Sequence, residues 1–327
     1  MRQKRVFARF ALLVIVSTFA PTPSPARGDE KQATQSGYTR TQDVIYGRKY
    51  GMALTMDVFT PTRPQNGAAV IWVVSGGWLS SHEAIAAVLP TSAVYELTGR
   101  GYVVFAVVHG SQPKFTIPEV LQDMNRSVRF IRAHAAEYHI NPDRIGITGG
   151  SAGGHLSLMQ GTAGDNGNAS AADPVDQVSS RVQAVACFFP PTDFLNYGKP
   201  GENALGRGVL KDFPAPFDFH ELDKSKAARW PKFVPITNQA RVLEIGREIS
   251  PINHISADDP PTLIIHGDAD KLVPIQQSES FVARMKEAGV PAELLVKKGA
   301  GHGWKDIVKD SPAIADWFDK YLPNPGK

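Results

Sequence analysis

Arg144-Ile145-Gly146-Ile147-Thr148-Gly149-Gly150-Ser151-Ala152-Gly153-Gly154-His155-Leu156 is the stretch on which the reading of this chain turns. It opens as a short β-rich run, Arg144–Thr148, passes through a glycine-flanked serine, and continues as a helix predicted over 151–160. A serine hydroxyl is a weak nucleophile and has to be held exposed beside a base. A Gly-x-Ser-x-Gly turn between strand and helix does this through a tight bend, with glycines where a Cβ would clash. The same bend aims the amide of Ala152 and the start of the helix at a developing oxyanion. Nucleophilic chemistry at Ser151 is the expectation.

Outward from that turn, β-rich runs alternate with helical patterns. Candidate strands are 44–46, 54–59, 69–74, 102–108, 144–148, 182–189, 262–266 and 292–297. From Ala69 onward most are unbroken apolar runs, as expected of strands covered on both faces in a parallel sheet. Between Pro118 and Tyr138, the residues Val120, Leu121, Met124, Val128, Ile131 and Ala135 recur at helical spacing. Further helices are predicted over 83–99, 275–288 and 307–321. The alternation predicts an α/β fold, a doubly wound and mostly parallel sheet of about eight strands. One long excursion, about 193–258, rich in Pro, Phe and charged residues, is predicted to insert over the catalytic end of the sheet, partly helical.

A nucleophilic serine needs a histidine, and the histidine an orienting carboxylate, in the order Ser, acid, His around such a turn. His302 stands in the glycine-flanked loop Gly301-His302-Gly303-Trp304 after the last strand, where a mobile imidazole reaches over the sheet. His266 ends a strand and reads as structural, and His155 as a packing or local hydrogen-bonding residue. Asp270, in His266-Gly267-Asp268-Ala269-Asp270, is the preferred acid, with Asp193 its rival and Asp268 a brace of the turn. The second oxyanion donor is sought in Val74-Ser75-Gly76-Gly77-Trp78, after the strand 69–74, where paired glycines let the backbone approach a substrate. His109 and Trp304 are weaker candidates for the pocket wall.

With Ser151, Asp270 with Val273-Pro274, and Gly301-His302-Gly303-Trp304 in place, the chain resembles the esterase/lipase branch of the α/β-hydrolases. It looks most like their feruloyl/acetyl-xylan-esterase-like group, and Asp123–Arg132 is similar to the helix before the elbow there. The resemblance runs from about Val44 to Tyr321. It departs where that group has His-Gly-Gly-Gly-Trp, since Val74 replaces the His and Ser75 the first Gly, leaving open which of Gly76, Gly77 and Trp78 turns its amide inward. The resemblance implies hydrolysis of short-acyl or carbohydrate-linked esters through an acyl-enzyme, with no cofactor and no metal. A peptidase similar to the prolyl oligopeptidases and a non-catalytic binding module are the alternatives. The first is disfavoured on the expectation that only about forty residues precede the domain, too few for the large N-terminal propeller of those peptidases, and the second usually loses a triad residue.

Composition frames these expectations. The chain has 327 residues, 42% hydrophobic and 20% charged, an ordinary globular profile. Arg2, Lys4, Arg5 and Arg9 precede the apolar run Phe10–Ala20, and Ser24-Pro25-Ala26 follows, which is the layout of a secretory signal over 1–26. The run is too short to span a bilayer. Secretion or a periplasmic location is expected, with a flexible leader over 27–40 and an α/β-hydrolase domain over 41–327. Removing 1–26 takes four of the 35 basic residues and none of the 32 acidic ones, leaving 31 against 32. That near-neutral balance gives no electrostatic reason to bind nucleic acid or an anionic membrane. The partner expected is a small-molecule or oligosaccharide ester. Cys187 is the only cysteine and reads as a buried hydrophobe. The stretch Gly164–Asn168 has calcium-like oxygen ligands without calcium-loop spacing.

Overall fold

The structure is a computed structural model that describes residues 37–223, 230 and 232–324. The proposed signal and most of the leader lie outside the described residues. Its strands are β1 (Tyr38–Lys49), β2 (Met52–Pro61), β3 (Ala69–Val74), β4 (Val103–Val108), β5 (Ile145–Gly150), β6 (Ala184–Phe188), β7 (His220–Asp223), β8 (Lys232–Pro235), β9 (Thr262–Gly267) and β10 (Ala292–Lys297). Eight of them form one sheet in the order β1-β2-β4-β3-β5-β6-β9-β10. β1, β2 and β4 pair antiparallel, and from β4 across to β10 every pairing is parallel. The expected α/β architecture is borne out. The leader expectation needs correcting at its end: Tyr38, Thr39 and Arg40 belong to β1, and Tyr38 is buried against Phe59 at a ring distance of 5.1 Å.

Helices cover both faces, and the pleat sorts the core accordingly. Ile71 and Val73 of β3 face a core with Met124 and Val128 of α3 (Ile117–Ala133), Leu156 of α4 (Ala152–Ala163) and Phe281 of α6 (Gln276–Glu287). Val70, Trp72 and Val74 face the other way, toward Ile85 of α1 (His82–Val88), Leu97 of α2 (Val94–Gly99) and Phe318 of α7 (Ser311–Tyr321). Alternate residues of one strand therefore serve two cores, which is why the strand reads as an unbroken apolar run. Thr116 and Glu119 form a capping box on α3, a contribution of about 1 kcal/mol.

The helix expected over 83–99 is two helices. α1 stops at Val88, a 3₁₀ turn runs over Leu89–Thr91 with Pro90 in its first positions, and α2 begins at Val94. Pro90 lacks the amide that a continuous helix needs there. Cys187 is fully buried, and burial pushes its thiol up, so the cysteine is inert. Asp165, in the calcium-like stretch, is held by Arg129 at 2.5 Å.

The excursion between β6 and β9 contains the β7–β8 hairpin, short 3₁₀ turns and α5 (Gln239–Glu248). The hairpin was not legible as strands. A 3₁₀ turn of the excursion, Ala215–Phe217, packs beside the loop after β3: the ring of Phe217 lies 5.3 Å from that of Trp78.

Candidate active site

The site sits at the carboxyl ends of the parallel strands, where the backbone itself is under strain. Ser151, between β5 and α4, has φ 54° and ψ −120°. A non-glycine residue in that region costs on the order of 1–3 kcal/mol and persists only where its surroundings enforce it. Here the amide of Ser151 donates to the carbonyl of Phe188 (3.0 Å) and its carbonyl accepts from His155 (2.9 Å). Two glycines make the bend physically possible. A Cβ on Gly149 would lie 2.6 Å from the backbone of Gly153, and one on Gly153 would lie 2.8 Å from the carbonyl oxygen of Val73.

The imidazole arrives from the loop after β10 and the carboxylate from the loop after β9. These two loops are bound to each other: Ala269 donates to the carbonyl of Ala300 (2.9 Å), and Asp268 accepts from the amide of Gly299 (2.6 Å). Gly267 permits the approach, since a Cβ there would lie 2.3 Å from Ala300 oxygen. Asp270 Oδ2 accepts from His302 Nδ1 at 2.7 Å, and His302 Nε2 lies 2.9 Å from Ser151 Oγ. The carboxylate fixes the proton on Nδ1, leaving Nε2 to accept from the serine hydroxyl. Ser151, His302 and Asp270 thus stand in one hydrogen-bonded row.

Asp270 is held from several sides. Its Oδ1 accepts from the amides of Leu272 and Val273, each at 2.9 Å. Nε2 of the buried His266 lies 3.3 Å from Oδ2 while donating to the carbonyl of Val273. Burial alone would push the Asp270 carboxyl up. The hydrogen bonds from His266 and His302, with the Val273 amide, outweigh it and hold the group well below the usual carboxylate range. The contact of His266 with the acid was missed by sequence reasoning, which placed that histidine as structural. The i to i+4 spacing across the turn was the available signal. The rival acid Asp193 faces its own turn, accepting from Leu195 and Asn196.

The loop after β3 revises the oxyanion expectation. Gly76 donates its amide to the carbonyl of Leu79 (3.0 Å) and accepts the return bond (2.9 Å), so Gly76 is spent on the turn. Gly77 and Trp78, both at positive φ (54° and 60°), carry the remaining candidate amides. Ala152 opens α4, where an amide has no acceptor within the helix. Trp78 turns its ring away from the cleft: it is buried, and its Nε1 donates to His155 Nδ1 at 3.1 Å. His155 Nε2 donates in turn to the carbonyl of Ile249 (2.7 Å). One imidazole therefore ties the glycine loop, the helix behind the serine and the excursion together.

His109 and Trp304 also need correcting as wall residues. A cavity of about 430 Å³ opens beside Ser151, and neither residue lines it. His109 is buried behind Ser75, donating from Nδ1 to Gly110 oxygen (2.7 Å) and accepting at Nε2 from the Ser75 hydroxyl (2.9 Å). Trp304 packs against Phe188 and Phe189 and donates to Asp310 (2.8 Å). Phe189, at 4.6 Å from the His302 ring, is the aromatic residue that meets the imidazole.

Burial pushes both His109 and His155 down to about 4, so each is neutral in the fold. An unfolded histidine titrates near 6.5. As pH falls below 6.5, the unfolded chain takes up protons that these sites refuse until about pH 4. Their contribution is complete above 6.5 and is lost between 6.5 and 4, on the order of 3 kcal/mol for each. The urea midpoint is expected to drop steeply from pH 7 to pH 4.5. A midpoint constant across that interval would contradict the neutral assignment.

Comparison with known proteins places the chain. The family described as BD-FAE matches residues 56–285, and the one described as TAP-like protein matches 245–327. Two relatives come from Mycobacterium tuberculosis: "Probable carboxylic ester hydrolase LipM", 30% identical over 82% of this chain, and "Esterase LipQ", 28% identical over 76%. The chain spans about half the length of these curated relatives, 56% and 53%. A solved structure described as a truncated form of a carbohydrate esterase from gut microbiota is 26% identical, with TM-score 0.68 over 88% of this chain and 98% of that one. Thermogutta terrifontis esterase 2 with bound butyrate, at 24% identity and TM-score 0.64, covers 88% and 95% and shares the fold. The chain belongs to the BD-FAE family, in the esterase branch of the α/β-hydrolases.

Proposed function

We propose that this protein is a serine carboxylesterase in which Ser151 is the nucleophile, His302 the base and Asp270 its orienting carboxylate. The observation that carries this reading is the row Asp270–His302–Ser151, with contacts of 2.7 and 2.9 Å, built on a strained turn beside a cavity. His302 Nε2 takes the hydroxyl proton as Ser151 Oγ attacks the ester carbonyl carbon. The oxyanion is met by the amides of Ala152 and of Gly77 or Trp78. The intermediate collapses, the alcohol leaves with the proton from His302, and Ser151 remains acylated. Water then adds by the same route, releasing the acid and restoring the serine. None of these steps draws on a metal or an organic cofactor.

The proposed substrate is a small-molecule ester, short-acyl or carbohydrate-linked, encountered outside the cytoplasm. Supporting it are the carbohydrate-esterase description of the 26%-identical structure and the signal-like 1–26 segment. A fluorophosphonate probe tests the assignment. It is expected to add one adduct per chain, on the peptide carrying Ser151, and to abolish p-nitrophenyl butyrate hydrolysis in proportion. Labelling on another residue, or turnover that survives complete labelling, would remove Ser151 from the role.

A further inference from the structure

The cavity beside Ser151 has a direction. It lies on the α1/α2/α7 face of the sheet, because Trp72 and Val74 of β3 line it and belong to that core. Its mouth is at the strand ends, where Gly76 and Leu79 are exposed. Its floor is two residues deeper, where Trp72 and Thr148 are register partners on β3 and β5 and both are buried. Two residues of strand descend ~7 Å. Ala93 closes the side toward α2.

The lining is apolar and carries no charged side chain. Apart from Ser151, its serine hydroxyls are already engaged. Ser75 donates to His109, Ser81 accepts from the amide of Ala84, and Ser92 donates to Leu89 oxygen. A polar or charged guest would lose water here for little return, whereas an apolar guest gains by leaving water. An acetyl group would leave most of about 430 Å³ unfilled, and unfilled apolar wall forfeits its dispersion contacts.

The position relative to His302 decides which half of an ester enters. The leaving alcohol must lie against His302 Nε2 to receive its proton. His302 does not line the cavity, while Ser151 and Gly150 do. We infer that this cavity is an acyl-chain site that selects uncharged aliphatic acyl groups well beyond acetyl in length, with Ala93 and Ala84 setting the room available. This rests on the serine-esterase reading, and it moves that reading's acyl half from short chains to longer ones.

The test is kcat/KM for p-nitrophenyl acetate, butyrate, hexanoate and octanoate on the full chain, with ethyl, butyl and hexyl acetates and methyl ferulate beside them. Each buried methylene is worth about fourfold. A rise of at least tenfold from acetate to octanoate is expected, with less than threefold change along the alkyl acetates. Ala93→Leu, and separately Ala84→Leu, are expected to lower the octanoate-to-acetate ratio by at least tenfold. A series that falls from acetate onward, a length dependence confined to the alcohol, or ferulate exceeding octanoate would overturn the inference. The wild-type series decides the matter by itself, so a variant that fails to fold does not blunt the test. A fall of several orders of magnitude in ester turnover in Ser151→Ala tests the underlying reading separately.

Discussion

Ser151→Ala is expected to lower kcat on p-nitrophenyl butyrate by about five to six orders of magnitude while leaving the folded protein nearly as stable as before. The size follows from what the hydroxyl does. It is the atom that forms the bond, and neither His302 nor Asp270 has a substitute target once it is gone. Water attacking in its place still meets the amides of the oxyanion loop, so a residual acceleration over solution of about 10³–10⁴ is expected. The stability side is equally specific. Ser151 is partly exposed and its hydroxyl meets His302, so its loss leaves no buried group stranded. The strained backbone is enforced by the Phe188 and His155 bonds and by Gly149 and Gly153, all untouched by the substitution. Stopped-flow or burst kinetics give the rate, and thermal melting gives the fold. A variant that keeps its melting temperature and more than a hundredth of the wild-type rate would end the case for Ser151.

How much of this was legible beforehand depends on where each residue's destination is decided. β3 matches the expected run residue for residue, because an apolar strand inside a parallel sheet writes its bounds into hydrophobicity; β10 matches its run too, although it is an edge strand with mostly exposed or half-exposed side chains. The elbow was legible because local sterics dictate its glycines. The proximity of His302, Asp270 and Ser151 was readable from motif and order, since each lies on a turn directly after a strand. The misses have separate causes. Pro90 broke a helix whose apolar spacing continued across it, so periodicity alone joined α1 to α2. The short β7 and β8 strands have half-exposed or exposed side chains and no clean alternation, so they leave no strand signature. The amide of Gly76, the ring of Trp78 and the imidazole of His109 are settled by partners that periodicity does not point to. Leu79 is near Gly76, but Trp78 answers to His155 and His109 to Ser75, tens of residues away. A sequence names the donors of such bonds and not their acceptors.

Asp270→Asn carries the second large effect, and its logic is a matter of tautomers. The Oδ1 position accepts from Leu272 and Val273, so the substituted amide keeps its oxygen there and turns its NH₂ toward His302 Nδ1 and His266 Nε2. A donor now faces a donor. His302 escapes by moving its proton from Nδ1 to Nε2, after which Nε2 no longer accepts from Ser151 and the base is lost. A fall in kcat of about 10⁴-fold is expected, with KM changed far less because Asp270 does not line the cavity. The fold should lose stability too, since a carboxylate held well below its usual range by these partners contributes to stability at neutral pH and the amide does not. Asp193→Asn is the control: its carboxylate serves a local turn at Leu195 and Asn196, and kcat should change by only a few fold. Steady-state kinetics of both variants on the same ester separate the candidates. If Asp193→Asn were the crippled enzyme and Asp270→Asn the mild one, the acid would sit on the turn after β6, and the 2.7 Å contact between Asp270 and His302 would belong to packing and not to catalysis.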